Sequence, residues 1–515
     1  MSFPERELDR LAATVLQPGF VGTTPPSWVR RWLADGLGAV VLFARNVVDP
    51  AQLAALTAAL RAERPDVIVA IDEEAGDVTR IESAGGSSRP GNLALGAVDD
   101  PALTEAVARD LGVDLAAAGV TLNYAPDADV NSNPDNPVIG VRSFGADPAL
   151  VARHTAAWVR GLQAGGVAAC AKHFPGHGDT RVDSHHDLPV IGATGEQLRS
   201  GELVPFRAAV AAGVQAVMTG HLLVPALDPV LPATLSPYVL GGLLREELGF
   251  QGVVVTDAVE MRAVADRYGL TGAAVRALAA GADAICVGGE HADEETVRAL
   301  RDALVTAVRA GELPEERLAE AAKRVGQLAA WTVTARAAGD QPRAAADPAR
   351  AAADPAGDDG VAPPAGPAIG LVAARRAVRV TVAPGGADPL PLTRPPHVVE
   401  FAAPHNIAIG PQTPWGVAAP LAELLPGTTT VRYARDDTPA DPTAGAAGRP
   451  LVLVVRDLHR HDWMRAAVAR ALAARPDAVV VELGVPHLVI GAVHVATHGA
   501  TRAGARAAAE RLTAS

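Results

Sequence analysis

Along residues 10–330, short apolar runs rich in β-branched side chains alternate with longer stretches in which alanine, leucine and arginine recur at helical spacing. That switching period is the mark of repeated βα units around a parallel sheet. The apolar runs fall at 14–16, 39–43, 67–71, 120–124, 167–171, 215–218, 252–256 and 283–287. Eight strands are what a TIM (β/α)8 barrel closes with. Asp49-Pro50 and Asp100-Pro101 each place a side-chain acceptor ahead of a proline, which opens a helix, so the intervals hold crossover helices. An open dinucleotide-binding sheet is the competing architecture, but no Gly-x-Gly-x-x-Gly turn follows any of the runs.

From 335 to 366 the chain falls into Ala/Pro/Asp/Gly monotony, with too little large apolar surface to order itself, and reads as a linker. Beyond it, Pro450-Leu451-Val452-Leu453-Val454-Val455 and Asp477-Ala478-Val479-Val480-Val481-Glu482 flank a helical stretch over 463–474, a strand, helix, strand unit. The sequence therefore predicts an α/β protein in which a TIM barrel over 1–334 precedes a smaller αβα sandwich domain over 367–515. A chain of 515 residues exceeds what one core usually supports, in keeping with two units.

Composition narrows the function more than the fold. A formal charge of −13 argues against nucleic acid as a partner, because a polyanion needs a concentrated basic face. The first ten residues carry charges of both signs where a secretion signal needs a basic start and an apolar core, and no apolar run is long enough to span a membrane. Cys170 and Cys286 both sit in apolar surroundings and read as buried small hydrophobes, so a cytoplasmic location is expected.

Active sites of barrels lie at the carboxyl ends of the strands, so polar residues should gather just after the apolar runs. The chain places Arg45-Asn46, Asp72-Glu73-Glu74, Asn123 with Asp127, Lys172-His173, Thr219 with His221, and Asp257 there. For any one of these a helix cap or a surface charge is the simpler account. Six together on one rim point to a site.

Four segments then carry a resemblance: Asn131-Ser132-Asn133-Pro134-Asp135-Asn136-Pro137 running on to Arg142; Lys172-His173-Phe174-Pro175-Gly176-His177-Gly178-Asp179-Thr180 with Asp183-Ser184-His185-His186; Val217-Met218-Thr219-Gly220-His221; and Val254-Val255-Thr256-Asp257-Ala258-Val259-Glu260-Met261. On these the chain resembles the β-N-acetylglucosaminidase branch of glycoside hydrolase family 3. The resemblance implies a retaining hydrolase of terminal, non-reducing β-linked N-acetylglucosamine, most plausibly on peptidoglycan fragments, with Asp257 as nucleophile and Asp183 with His185 as an acid/base dyad. It implies sugar-binding roles for Asp72, Arg142, Lys172 and His173, a small carbohydrate as partner, and no cofactor. It also implies a barrel that carries the whole catalytic apparatus, with the second domain auxiliary. One stretch departs from the family pattern Asp-x-Glu-Gly-Gly-Arg-Val: this chain has Ala75 for a glycine and Asp77 for the arginine.

Other readings compete. A β-glucosidase-type hydrolase of the same family would take its acid from a later domain. A phosphorylase would let phosphate attack the glycosyl-enzyme, which a histidine acid/base tolerates better than a glutamate. The histidines at 173, 177, 185, 186 and 221 raise a zinc site, although no pair at fixed helical spacing stands out, and no metal is expected. A sugar-binding protein without catalysis would need the catalytic residues lost, and all are present.

Overall fold

The computed structural model describes residues 4–181, 183, 187–339, 367–384, 389–404, 408–410 and 413–514. Its first unit is the barrel: β1 (Leu16–Pro18), β2 (Ala39–Leu42), β3 (Ile68–Ile71), β4 (Leu122–Asn123), β5 (Ala168–Phe174), β6 (Ala216–Thr219), β7 (Val253–Thr256) and β8 (Ile285–Val287). Strands β2 to β7 pair in chain order and in parallel, and β1 pairs with β8. Parallel bridges Gly19 to Val41 and Val255 to Ala284 join the two sheets into a ring.

The first expected strand needs correcting. Thr14 is the last residue of a helix (Glu5–Thr14), and its hydroxyl back-bonds to the Arg10 carbonyl at 2.8 Å, so the strand starts at Leu16. A β-branched residue at a helix end mimics the opening of a strand. The helices expected from Asp-Pro openings run over Pro50–Glu63 and Pro101–Ala117, with Asp49 and Asp100 accepting from first-turn N–H groups.

Inside the ring, small side chains (Ala39, Ala70, Ala168, Cys170, Ala216, Ala284 and Cys286) pack among larger ones that include Val41, Leu122, Tyr124, Met218 and Val253. The helix Glu315–Gly339 adds Val325, Leu328 and Ala329 to this cluster and closes the amino-terminal end of the barrel. This helix runs past residue 334, and residues 340–366, read from sequence as linker, lie outside the described residues.

The second unit is a six-stranded sheet of β9 (Arg379–Val382), β10 (His397–Phe401), β11 (Thr429–Tyr433), β12 (Leu451–Val455), β13 (Val479–Glu482) and β14 (Val493–Ala496), in the order β11-β10-β12-β13-β14-β9. All pairs are parallel except the edge strand β9. Central strands are buried on both faces, which is why they read as continuous valine and leucine runs. Val452 and Val454 pack with the helix Arg502–Thr513, whereas Leu453 and Val455 pack with the helix Asp462–Ala474, giving three layers. Among the described residues no helix is long and apolar enough to cross a membrane.

The units touch along one flank of the barrel. The helix Pro367–Ala377 lies against Asn92–Val98 and Pro101–Ala117, and Arg376 pairs with Asp100 at 2.8 Å.

Candidate active site

A cavity of about 530 Å³ opens at the carboxyl end of the barrel strands. Asp72, Arg142, Lys172, His173 and Asp257 all line it, so the structure brings together every expected sugar-binding residue and the expected nucleophile. Asp183 is not among the lining residues, and His185 lies outside the described residues.

The floor of the cavity is an interlocked set of charges. Lys172, at the end of β5, is buried, with its ammonium on Asp72 and 2.6 Å from Glu74 Oε1. Arg142 donates both arms of its fork to Glu74, at 2.9 and 2.7 Å. Burial acts against every charge here, yet the pairing wins: Arg142 and Lys172 hold Glu74 well below the usual carboxylate range, and Lys172 and Arg142 are themselves raised. The arginine expected to grip sugar therefore spends its fork on Glu74 and presents only an edge to the cavity.

His173 is aimed by Asp129. Its Nδ1 donates to Asp129 Oδ2 at 2.7 Å, which leaves Nε2, 3.4 Å from Arg142, on the cavity side. Asp129 Oδ1 also accepts the backbone N–H groups of His173 (3.2 Å) and His177 (2.7 Å), so one carboxylate organises the whole Lys-His-Phe-Pro-Gly-His run. Although burial opposes it, the two histidines keep Asp129 below its ordinary pKa. Gly178 packs so tightly that a Cβ would meet the Val130 carbonyl at 1.6 Å, which nails the start of the loop carrying Asp183.

Asp257 follows β7. Its N–H donates to the Thr219 carbonyl at 3.0 Å, and its Oδ1 accepts from Ala258 N at 2.8 Å. The next helix begins only at Arg262, so Asp257 does not cap it. His221 Nε2 donates to the Ala258 carbonyl at 3.0 Å while Nδ1 meets the Thr234 hydroxyl at 2.9 Å, fixing the peptide beside Asp257.

Two residues escaped the reading of the sequence. Arg80 lines the cavity, lies 3.4 Å from Asp72 Oδ2, and donates at 2.9 Å to the carbonyl of Ala408 in the second unit. It sits beyond the Asp72-Glu73-Glu74 run with nothing local to mark it. Asp129 was hidden by Asp127, two residues earlier and of the same type. Conversely, Asn123 does not reach the cavity, because its amide is spent on the Glu73 backbone at 2.9 and 2.7 Å.

Asp127, Asp129 and His173 each offer a possible metal-ligand atom, all within 4.8 Å of one another. Two of the three groups already engage each other, His173 Nδ1 being on Asp129 Oδ2, and the Arg142 guanidinium stands 3.7 Å from Asp127 Oδ2. Burial and Asp129 push the Asp127 carboxyl far above its ordinary pKa, which disfavours the ionised form that a cation would need.

What the arrangement can do is hold a polyhydroxylated ring by ionic and imidazole donors and acceptors with one carboxylate, Asp257, under it. Residues 14–328 match the model of the glycosyl hydrolase family 3 N-terminal domain. A beta-hexosaminidase of Alkalilimnicola ehrlichii is 39% identical over 279 residues, 52% of this chain and 79% of that protein. Beta-hexosaminidase A of Pseudoalteromonas piscicida is 35% identical over 330 residues, and there the match spans only 55% of the relative's length. Among solved structures, a glycoside hydrolase family 3 beta-N-acetylglucosaminidase from Paenibacillus sp. str. FPU-7 superposes with a TM-score of 0.85 at 34% identity, over 99% of this chain and 97% of the other.

Proposed function

The chain belongs to glycoside hydrolase family 3, and on that footing we propose that it releases terminal β-linked N-acetylglucosamine with retention, through a glycosyl-Asp257 intermediate. The observation that carries this reading is Asp257, set at the end of β7 under a cavity walled by Asp72, Lys172, His173 and Arg80. Retention needs a carboxylate on one face of the anomeric carbon and a proton donor on the other. In the first step the Asp257 carboxylate bonds to the anomeric carbon as the leaving oxygen takes a proton. In the second, water gives that proton back to the donor as its oxygen displaces Asp257.

The donor we assign is His185, oriented by Asp183 two residues earlier, whose carboxylate favours the imidazolium and fixes the ring. His177, earlier in the same stretch, is poorly suited to the task. It lines the cavity but is almost wholly buried, burial lowers its pKa to about 4, and its Nδ1 meets the Thr180 hydroxyl at 3.1 Å, so at neutral pH it is the neutral imidazole and not the imidazolium that an acid catalyst needs. Asp72, Lys172 and His173 bind the sugar, with Arg142 holding them from behind. Peptidoglycan fragments are the substrates we propose for this activity, and water the acceptor.

The leaving-group dependence of His185→Ala tests the assignment. An aglycone that departs easily needs little protonation, so glycosylation should fall by roughly 10²-fold or more on a natural disaccharide and far less on an activated aryl glycoside. Equal losses on both in a folded variant would move the role elsewhere. Wild-type turnover that requires added phosphate would make the enzyme a phosphorylase, and faster release of glucose than of N-acetylglucosamine would overturn the sugar.

A further inference from the structure

The segment between Asp72 and Arg80 forms a tight hairpin with two faces. Glu74 N donates to the Val78 carbonyl at 3.0 Å, Ala75 bridges Val78, and the buried Glu73 carboxylate ties down the far strand through the N–H groups of Arg80 (2.6 Å) and Ile81 (3.0 Å). One face delivers Asp72, Glu74 and Arg80 to the sugar cavity and its floor. The tip, Asp77, points the other way.

Asp77 is buried, and its carboxylate finds its polar partners in the second unit. Its Oδ1 accepts Ala500 N at 2.8 Å, and its Oδ2 lies 2.7 Å from Arg456, in ion-pair contact but outside hydrogen-bond alignment. Arg456 follows β12 and Ala500 follows the end of β14, so the tip docks on the carboxyl edge of the second sheet. That edge is where open α/β sheets receive their ligands, and here a carboxylate of the same chain takes the place. Around it, Arg502 pairs with Glu82 at 2.9 Å, Ala503 N donates to the Ser87 carbonyl at 3.2 Å, and Ala408 receives Arg80. Gly76 lets the tip lie flat, since a Cβ there would meet Gly91 Cα at 2.4 Å.

We propose that Asp77 and Arg456 are positioning residues for sugar binding: through them the second domain sets the 72–80 hairpin, and with it Asp72 and Arg80, against the substrate. The second domain is then part of the binding machinery and not an appendage. Because Asp257 and the proton donor are on other loops, the pair governs binding and leaves the chemical step alone. The inference rests on the glycosidase reading above, and one of its readouts is independent of it.

The experiment uses the full-length protein with Asp77→Arg, Arg456→Asp and the double reversal, assayed on an aryl β-N-acetylglucosaminide and by hydrogen exchange of residues 72–82. Each single reversal should raise KM by about tenfold or more with kcat within about twofold and speed exchange of the hairpin, and the double reversal should recover most of both. If KM stays at the wild-type value in folded single variants, or if the double is as impaired as either single, the proposal is wrong. Should the reversals not fold, Asp77→Asn and Arg456→Lys, which keep shape or charge, decide it on the same terms. A wild type that does not release N-acetylglucosamine would sink the substrate assignment, and the exchange pattern would still decide the clamp.

Discussion

Two clusters of buried charge sit at opposite ends of this barrel, and only one of them faces a cavity. At the carboxyl end, Lys172 and Arg142 share Asp72 and Glu74 beneath the sugar cavity. At the amino end, the fully buried Asp283 just ahead of β8 receives Arg245, Arg317 at 2.5 Å, Arg324 at 3.3 Å and the N–H of Val254 at 3.0 Å. Both are dense ion networks in low dielectric. The difference is that Asp283 itself is fully buried, with Arg317 also bonded to the Ala282 and Leu278 carbonyls, whereas Asp72 keeps 27% of its side chain open to the cavity. Buried charge alone thus carries no information about function; a charged group left partly open to an enclosed space does.

The sharpest test of that contrast removes one acid from each end. Asp257→Ala should cost about 10⁴-fold or more in turnover, because the proposed nucleophile is lost, while changing folding stability by far less than the loss of Asp283 does. Asp283→Ala should do the reverse: stability falls by about 3–5 kcal/mol as Arg245 and Arg317 lose their shared counter-charge, and the fraction that stays folded keeps its kcat. Thermal melts alongside steady-state kinetics separate the two. An Asp283 variant with wild-type melting, or an Asp257 variant that keeps turnover, would erase the distinction.

A smaller effect is expected where a buried acid meets no cation among the described residues. Glu202 lies under the Gly176 bend, where a Cβ on Gly176 would strike it at 2.7 Å, and its Oε2 has no hydrogen-bond partner among the described residues. Burial, with Asp129 and Asp179 nearby, pushes its pKa up to about 8 against the Val130 N–H. A carboxyl raised on folding contributes stability that is complete below its unfolded pKa of 4.5 and lost as pH climbs through 8. The loss is on the order of a few kcal/mol across that window, and Glu202→Gln should flatten the corresponding fall in melting temperature between pH 5 and 8.5, in a comparison expected to reach only a few degrees. Parallel wild-type and variant curves would show that Glu202 ionises as an ordinary carboxyl.

These contrasts also explain what was legible in the sequence. The barrel was, because short unbroken apolar runs and helical spacing are local signals and recur eight times. Lys172, His173 and Asp257 were, because they end apolar runs. Arg80 and the Asp77 contact were not: what makes them matter is Ala408, Arg456 and Ala500, which lie in the other domain. Ala75 shows the middle case. The resemblance marks a glycine there, and the structure gives the reason, a left-handed φ of 58° that an alanine adopts at a cost of about 1–2 kcal/mol. The antiparallel edge strand β9 was missed because its exposed Arg379 and Val382 lack the apolar signature of the buried strands. The dyad loop, the strongest motif of all, has His185 outside the described residues, so its geometry is a matter for the leaving-group experiment.

The two thiols of the barrel interior have a use of their own. Cys170 and Cys286 are both buried, and burial drives both far above the ordinary thiol pKa, so neither is a nucleophile while the ring of strands is closed. They lie three strands apart in the circuit, Cys170 fully buried on β5 and Cys286 on β8, where it lines the floor of the cavity. A thiol-specific reagent applied to the native enzyme therefore gives two readings, the labelling rate of Cys170 reporting how often the barrel breathes and that of Cys286 how well an occupied cavity shields its floor.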